Sequence, residues 1–289
     1  MQKILLMTDS ASDLENDVIA EYGIKLMPFN IIIGDSSFKE CVDKTKDEVY
    51  QIMDTIGDIP KTSQVTAFEF EEAFTEAYKQ GYTDVIYVSI CGAASNTYNN
   101  SVMAKNNFFE QNPDAKSKIK IFIIDSKGYT AMYGYPIIEA AKKINKDVNA
   151  ESIVAYIEDW CNCASAYFIP MTLKYAKKSG RISAAAAFAG ELLGLKPIIE
   201  MADSNSRVIE KIRGEKNIIP KLLSCVENAM TPQTPYTILM GKNDSLAKEL
   251  EKEAAKKFGY KAESFVKIGA AISANAGNDI VGIAFRRNK

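Results

Sequence analysis

The stretch that most constrains this chain runs over residues 84–100 and reads D-V-I-Y-V-S-I-C-G-A-A-S-N-T-Y-N-N. Its apolar, β-branched run at 85–90 has the length of a buried strand and gives way at once to small and polar residues. A strand ending this way opens onto a loop that can bind. Gly92, Ala93, Ala94 and Ser95 leave the backbone accessible, and Asn96 or Thr97 is placed to cap a following helix whose free N–H groups face the loop. Such a loop suits an anion. It is also what an ordinary, tightly packed β-to-α turn requires.

The same unit recurs along the first half. Residues 4–7 form an apolar strand followed by T-D-S-A-S-D-L, in which Ser10 and Asp13 have capping-box spacing ahead of a helix that Gly23 stops. Residues 24–33 read as a second strand, with Pro28 marking an irregularity or an edge. Thr45 with Glu48, and Thr66 with Glu69, are further capping boxes before apolar helix faces. Thr62 and Ser63 thus form a hydroxyl pair at a helix entrance. Residues 121–124 are another buried strand, ending in Asp125 and Ser126. Strands alternating with helices indicate a parallel sheet, whose carboxyl-end loops are where ligands bind. Caps and strand ends account for Asp9, Asp13 and Asp125, so no metal is expected there.

The polar stretch 145–149 divides the chain into an N-terminal α/β domain, 1–148, and a C-terminal domain, 149–289. The second begins with a helix carrying Ile153, Val154, Ile157 and Trp160 on one face, then a strand at 166–169. The basic run K-Y-A-K-K-S-G-R-I-S and a small-sided helix at 184–193 follow. Residues 196–201 and 208–212 flank D-S-N-S as a hairpin. A helix, a strand, another helix and two terminal strands complete an antiparallel or mixed α+β arrangement.

Composition narrows the function. With 289 residues, 47% of them hydrophobic and 25% charged, the chain suits two globular domains. Lys plus Arg (35) nearly balances Asp plus Glu (37), leaving no electrostatic footprint for nucleic acid. The absence of histidine removes Ser-His-Asp and Cys-His activation and every histidine-based zinc site. The five cysteines are scattered and read as reduced thiols. No apolar run reaches the ~18 residues of a membrane span, and the first residues turn polar too early for a signal peptide. The expected location is the cytoplasm.

Seven motifs in order carry a resemblance: T-D-S-A-S-D-L from Thr8, K-T-S-Q from Lys61, S-N-T-Y from Ser95, D-S-K from Asp125, K-S-G-R-I-S from Lys178, L-L-G-L-K-P-I-I from Leu192 and K-I-R-G from Lys211. Together they resemble the DegV family of bacterial fatty-acid-binding proteins. The resemblance implies an α/β fold: an N-terminal parallel-sheet α/β domain and a C-terminal α+β domain, with a long-chain fatty acid in an apolar tunnel between them. It implies no catalysis and no cofactor, and a carrier that presents the carboxylate to a fatty-acid kinase for phospholipid synthesis. The carboxylate contacts it implies are Ser63 and Ser95, with Thr62 adjacent and Gly92 in the same loop. Asn275 stands where the family has a histidine, and an amide donates hydrogen bonds but carries no charge. Arg213 is the candidate cation at the pocket mouth, where it would help dock a kinase. Phe29, Phe168, Phe188, Ile198 and Met201 are candidate liners. The alternative is an enzyme acting on a small carboxylate or phosphate at the same loops, with Asp9 or Asp125 as base.

Overall fold

The computed structural model describes residues 2–57, 59–188 and 194–288. Its first half opens with β1 (Ile4–Asp9), α1 (Asn16–Tyr22) and β2 (Lys25–Met27). The expected strand over 24–33 is two strands. Pro28 lies in the break, and β3 (Asn30–Ile33) leaves the first sheet to pair with β4 (Ser36–Lys39) and β5 (Lys61–Ser63) in a small antiparallel sheet. The helices α2 (Lys46–Ile56) and α3 (Ala67–Lys79) both begin with complete capping boxes, Thr45 with Glu48 and Thr66 with Glu69. Then come β6 (Asp84–Ser89), α4 (Thr97–Gln111), β7 (Lys120–Asp125) and α5 (Ala131–Ile144).

The main sheet of this half has the order β2-β1-β6-β7 and every neighbouring pair is parallel. The central strand β6 is buried along its whole length, as a parallel strand covered on both faces must be. Its carboxyl edge therefore gathers the loops after β1, β6 and β7.

The second half contains α6 (Ala150–Cys163), β8 (Ala164–Pro170), α7 (Lys174–Ser179), α8 (Ser183–Ala186), β9 (Leu195–Ala202) and β10 (Asn205–Arg213). It continues with α9 (Ile218–Ala229), β11 (Tyr236–Met240), α10 (Asp244–Phe258), β12 (Ser264–Lys267), α11 (Ala270–Ala276) and β13 (Ile280–Arg286). Six strands form a mixed sheet, β10-β9-β8-β13-β11-β12, in which only β11 and β12 run parallel. The hairpin turn between β9 and β10 is Asp203-Ser204, both at positive φ (49° and 63°), the twist that joins antiparallel strands through two residues. The helix expected over 184–193 is described only as α8 and its exit; residues 189–193 lie outside the described part of the chain.

Beyond the polar stretch at 145–149, α6 lies on α5, β6 and β7. The largest hydrophobic core runs from Leu6 and Ile86 in the first half to Phe168, Ile199 and Leu239 in the second. The halves share one interior.

Candidate functional site

A cavity of about 270 Å³ lies where that shared core meets the carboxyl edge of the parallel sheet. One wall is the inner face of the six-stranded sheet: Ala166 and Phe168 of β8, Met201 of β9, Leu239 of β11 and Ile280 of β13. Strand periodicity decides which side chains belong to it. Phe168 and Met201 face the cavity, whereas Ile198 sits in the separate core on the far side of the sheet with Tyr167 and Ile169. Ile198 is therefore not a liner. Phe188 is buried in the shared core but not at the cavity wall, with the Lys211 ammonium 5.8 Å from its ring centre. Phe29, Ile90, Met132, Ile182, Ile268 and Ile272 add to the apolar lining.

The polar lining comes from segments that meet one another. Thr62 and Gln64 line the cavity from β5 and its exit, and Ser95 and Asn96 from the loop after β6. The two segments are tied by the Val65 N–H donating to Thr97 Oγ1 (3.3 Å) and Asn100 Nδ2 donating to the Val65 carbonyl (2.7 Å). The Ser95 hydroxyl donates to Thr97 Oγ1 (2.9 Å) and accepts from the Thr97 N–H at 3.3 Å, so Ser95 rather than Asn96 caps α4. Asn275 lines the cavity from α11, its amide donating to the Ala271 carbonyl (2.8 Å) within that helix. Arg181, in the turn between α7 and α8, is the sole charged residue among the described liners.

Thr62, Ser95 and Asn275 thus converge, while three other expected site residues stand elsewhere. Ser63 follows Thr62 on β5, and successive strand side chains point to opposite faces, so it is Thr62 and Gln64 that line the cavity. Arg213 closes the edge strand β10, exposed and away from the cavity, its carbonyl accepting from Asn217 Nδ2 (2.7 Å). Gly92 is behind the wall: its N–H donates to Asp125 Oδ1 (3.0 Å), and a Cβ there would come within 2.9 Å of the same carboxylate. The missed cation is Arg181. It is the R of K-S-G-R-I-S, in the basic run that also holds Lys174, Lys177 and Lys178.

Beneath the loops lie three buried acids, Asp9, Asp13 and Glu40. Asp9 accepts from Tyr133 Oη (2.7 Å), Tyr87 Oη (2.9 Å), and the Ile90 (2.8 Å) and Ala11 (3.2 Å) N–H groups. Burial pushes its pKa up to about 6 against the pull of those bonds. The Ser10–Asp13 capping box does not form. Ser10 starts a short 3-10 turn capped by Asp9 and donates instead to Glu40 Oε2 (2.6 Å); Asp13, at φ 57°, accepts from the Gly269 N–H (2.8 Å). Among the described residues no group of three or more acids, cysteines or histidines is placed to hold a metal. Asp125, the other candidate base, accepts from the Gly92 and Lys127 N–H groups. Both proposed bases are thus committed to holding loops.

The family profile described as "Uncharacterised protein, DegV family" matches residues 3–288. A DegV domain-containing protein of Caldanaerobacter subterraneus subsp. tengcongensis is 29% identical over 99% of both chains. One from Clostridium acetobutylicum is 32% identical over 80% of this chain and 79% of the relative. Among solved structures, a stearic-acid-binding protein from Eubacterium ventriosum superposes with a TM-score of 0.87 at 25% identity, covering 99% of this chain and 98% of that one.

Proposed function

This chain belongs to the DegV family, and on that premise we propose that it binds a long-chain fatty acid in the cavity between its halves, as a carrier and not as an enzyme. The reading rests on the two kinds of side chain that line the cavity: apolar ones, among them the face of the six-stranded sheet, and hydroxyls, amides and one guanidinium from β5, loops and α11. A carboxylate suits the second and an alkyl chain the first.

Thr62, Ser95 and Arg181 are the residues proposed to hold the carboxylate, with Asn275 beside them. Ser63 takes a secondary place because of its strand face. Each hydrogen bond to a charged group contributes about 1.5–3 kcal/mol. The tail contributes more: at about 0.8 kcal/mol per buried methylene, a chain of roughly 14 offers on the order of 11 kcal/mol before association costs. Phe29, Phe168 and Met201 are the aromatic and flexible liners that would pack on it. The carrier presents its bound carboxylate to a fatty-acid kinase, and the basic surface that includes Arg181 and the more distant Arg213 is the proposed docking face.

Organic extraction of purified protein followed by mass spectrometry tests the reading. A fatty acid near one per chain is expected; a polar metabolite, or none after incubation with long-chain fatty acids, overturns it. Among variants, Thr62→Ala and Ser95→Ala should each weaken retention by roughly ten- to a hundredfold, with Ser63→Ala weaker in effect.

A further inference from the structure

The α11 wall of the cavity, with Ala271, Ile272, Asn275 and Ala276 among the lining residues, is fastened to the N-terminal half by buried carboxylates. Asp13 Oδ1 accepts from the Gly269 N–H (2.8 Å) and Glu40 Oε1 from the Ala271 N–H (2.9 Å). The Tyr50 hydroxyl closes the same junction on the Ile268 carbonyl at 2.5 Å. The fit is tight enough that a Cβ at Gly269 would run into both carboxylates. The second oxygen of Asp13 is sealed from solvent without a partner, as is the Thr130 hydroxyl, which lies close enough to favour the ionised acid but outside hydrogen-bonding geometry.

Charge around this junction is unbalanced. Among the described residues one ammonium faces the acid pair, that of Lys46, and it donates to the Asp13 carbonyl (3.0 Å) and to Glu15 Oε1 (2.7 Å), so Glu15 on the solvent side claims part of its charge. The other titratable groups packed here are Cys41, Tyr50, and Asp9 with its Tyr133 donor. Asp47 of α2 is engaged by Lys267 at 2.8 Å, and α11 itself carries no titratable side chain.

We propose that Asp13 and Glu40 form a proton-dependent latch: one proton held in the pair keeps α11 seated against the N-terminal half, and its loss frees that wall of the cavity. Two charges in a dry site sharing part of one ammonium repel each other, and opening the junction lets water solvate both. Burial drives the pair in this direction, lifting Asp13 to about 8 and raising Glu40. Opening therefore releases a proton whenever pH lies between the ordinary carboxylate range and the seated value, and the open fraction grows with pH by up to about tenfold per unit before levelling.

The wall concerned belongs to the proposed fatty-acid cavity, so the test reads the protein without ligand and survives or fails apart from that reading. Amide hydrogen exchange of the whole chain, corrected for the intrinsic pH dependence of exchange, is followed from pH 5.5 to 8.5. Protection over 268–276 should fall by up to about tenfold per pH unit and then level, while β6 changes less. Asp13→Asn, and independently Glu40→Gln, keep an acceptor for α11 but cannot share the proton, and should flatten the profile. A flat wild-type profile, an equal fall in β6, or an unchanged slope in the variants overturns the latch.

Discussion

Asp9 and Asp13 stand four residues apart on the same turn, each 1% exposed or less, and their environments differ in donors and in neighbouring charge. Asp9 accepts four hydrogen bonds, two from tyrosines and two from backbone, while Asp13 accepts one and lies beside Glu40. Burial raises both, but Asp9 stops at about 6 and Asp13 reaches about 8. At equal depth, donors and the neighbouring Glu40 charge decide how readily a sealed carboxyl ionises. Asp9 is thus suited to fixing the loops after β1 and β6, and Asp13 to responding.

Asp9→Ala strands two phenol hydroxyls and two N–H groups in a dry site. A loss of about 3–5 kcal/mol is expected, read as a lower urea midpoint at unchanged slope. A loss below about 1 kcal/mol would mean that the four bonds do not anchor the sheet edge.

Gly269→Ala comes next, since a methyl must displace the Glu40 carboxylate, which Ser10 and the Ala271 N–H hold, as well as that of Asp13. Overpacking of this kind costs about 1–3 kcal/mol, and the damage should be local to α11 where that of Asp9→Ala reaches β6. Hydrogen exchange of the two segments separates the cases.

The two acids also differ in the pH range over which they act. Both acids hold protons in the folded chain that the unfolded chain has already lost, so their contribution to stability is greatest below about pH 4 and declines as pH rises. Asp9's part of the decline should be complete near pH 6, and Asp13's near pH 8. Between those values the slope, up to about 1.4 kcal/mol per unit, belongs to Asp13 and its neighbour Glu40. Denaturant titrations of Asp13→Asn should be flatter in that window than those of wild type; parallel curves would refute the assignment.

The smallest expected effect is that of Ser10→Ala, at about 1–2 kcal/mol. Ser10 donates to Glu40 and accepts from the Phe29 N–H at 3.0 Å, so its removal touches the acid pair without adding bulk or charge.

Features that depend on neighbours along the chain are legible in the residues alone. Apolar runs bounded by polar turns identified β1, β6, β7 and β11; the Thr45 and Thr66 capping boxes started α2 and α3; D-S-N-S closed the β9–β10 hairpin. Those signals are local, because caps and turns satisfy backbone groups three or four residues away. Motif order was enough to identify the family. Tertiary structure decided the rest. Ser10 and Asp13 have the spacing of a local cap, yet Glu40 and Gly269, distant in sequence, take their hydrogen bonds. Sequence favours Ser63 over its neighbour Thr62, but Thr62 is the one that lines the cavity once β5 pairs with β3, and Arg181 rather than Arg213 lines it because the hairpin carries Arg213 to an outer edge. Which face of a strand meets a cavity, and which acid meets which amide, is fixed by how the two halves pack, and no window of sequence contains both partners.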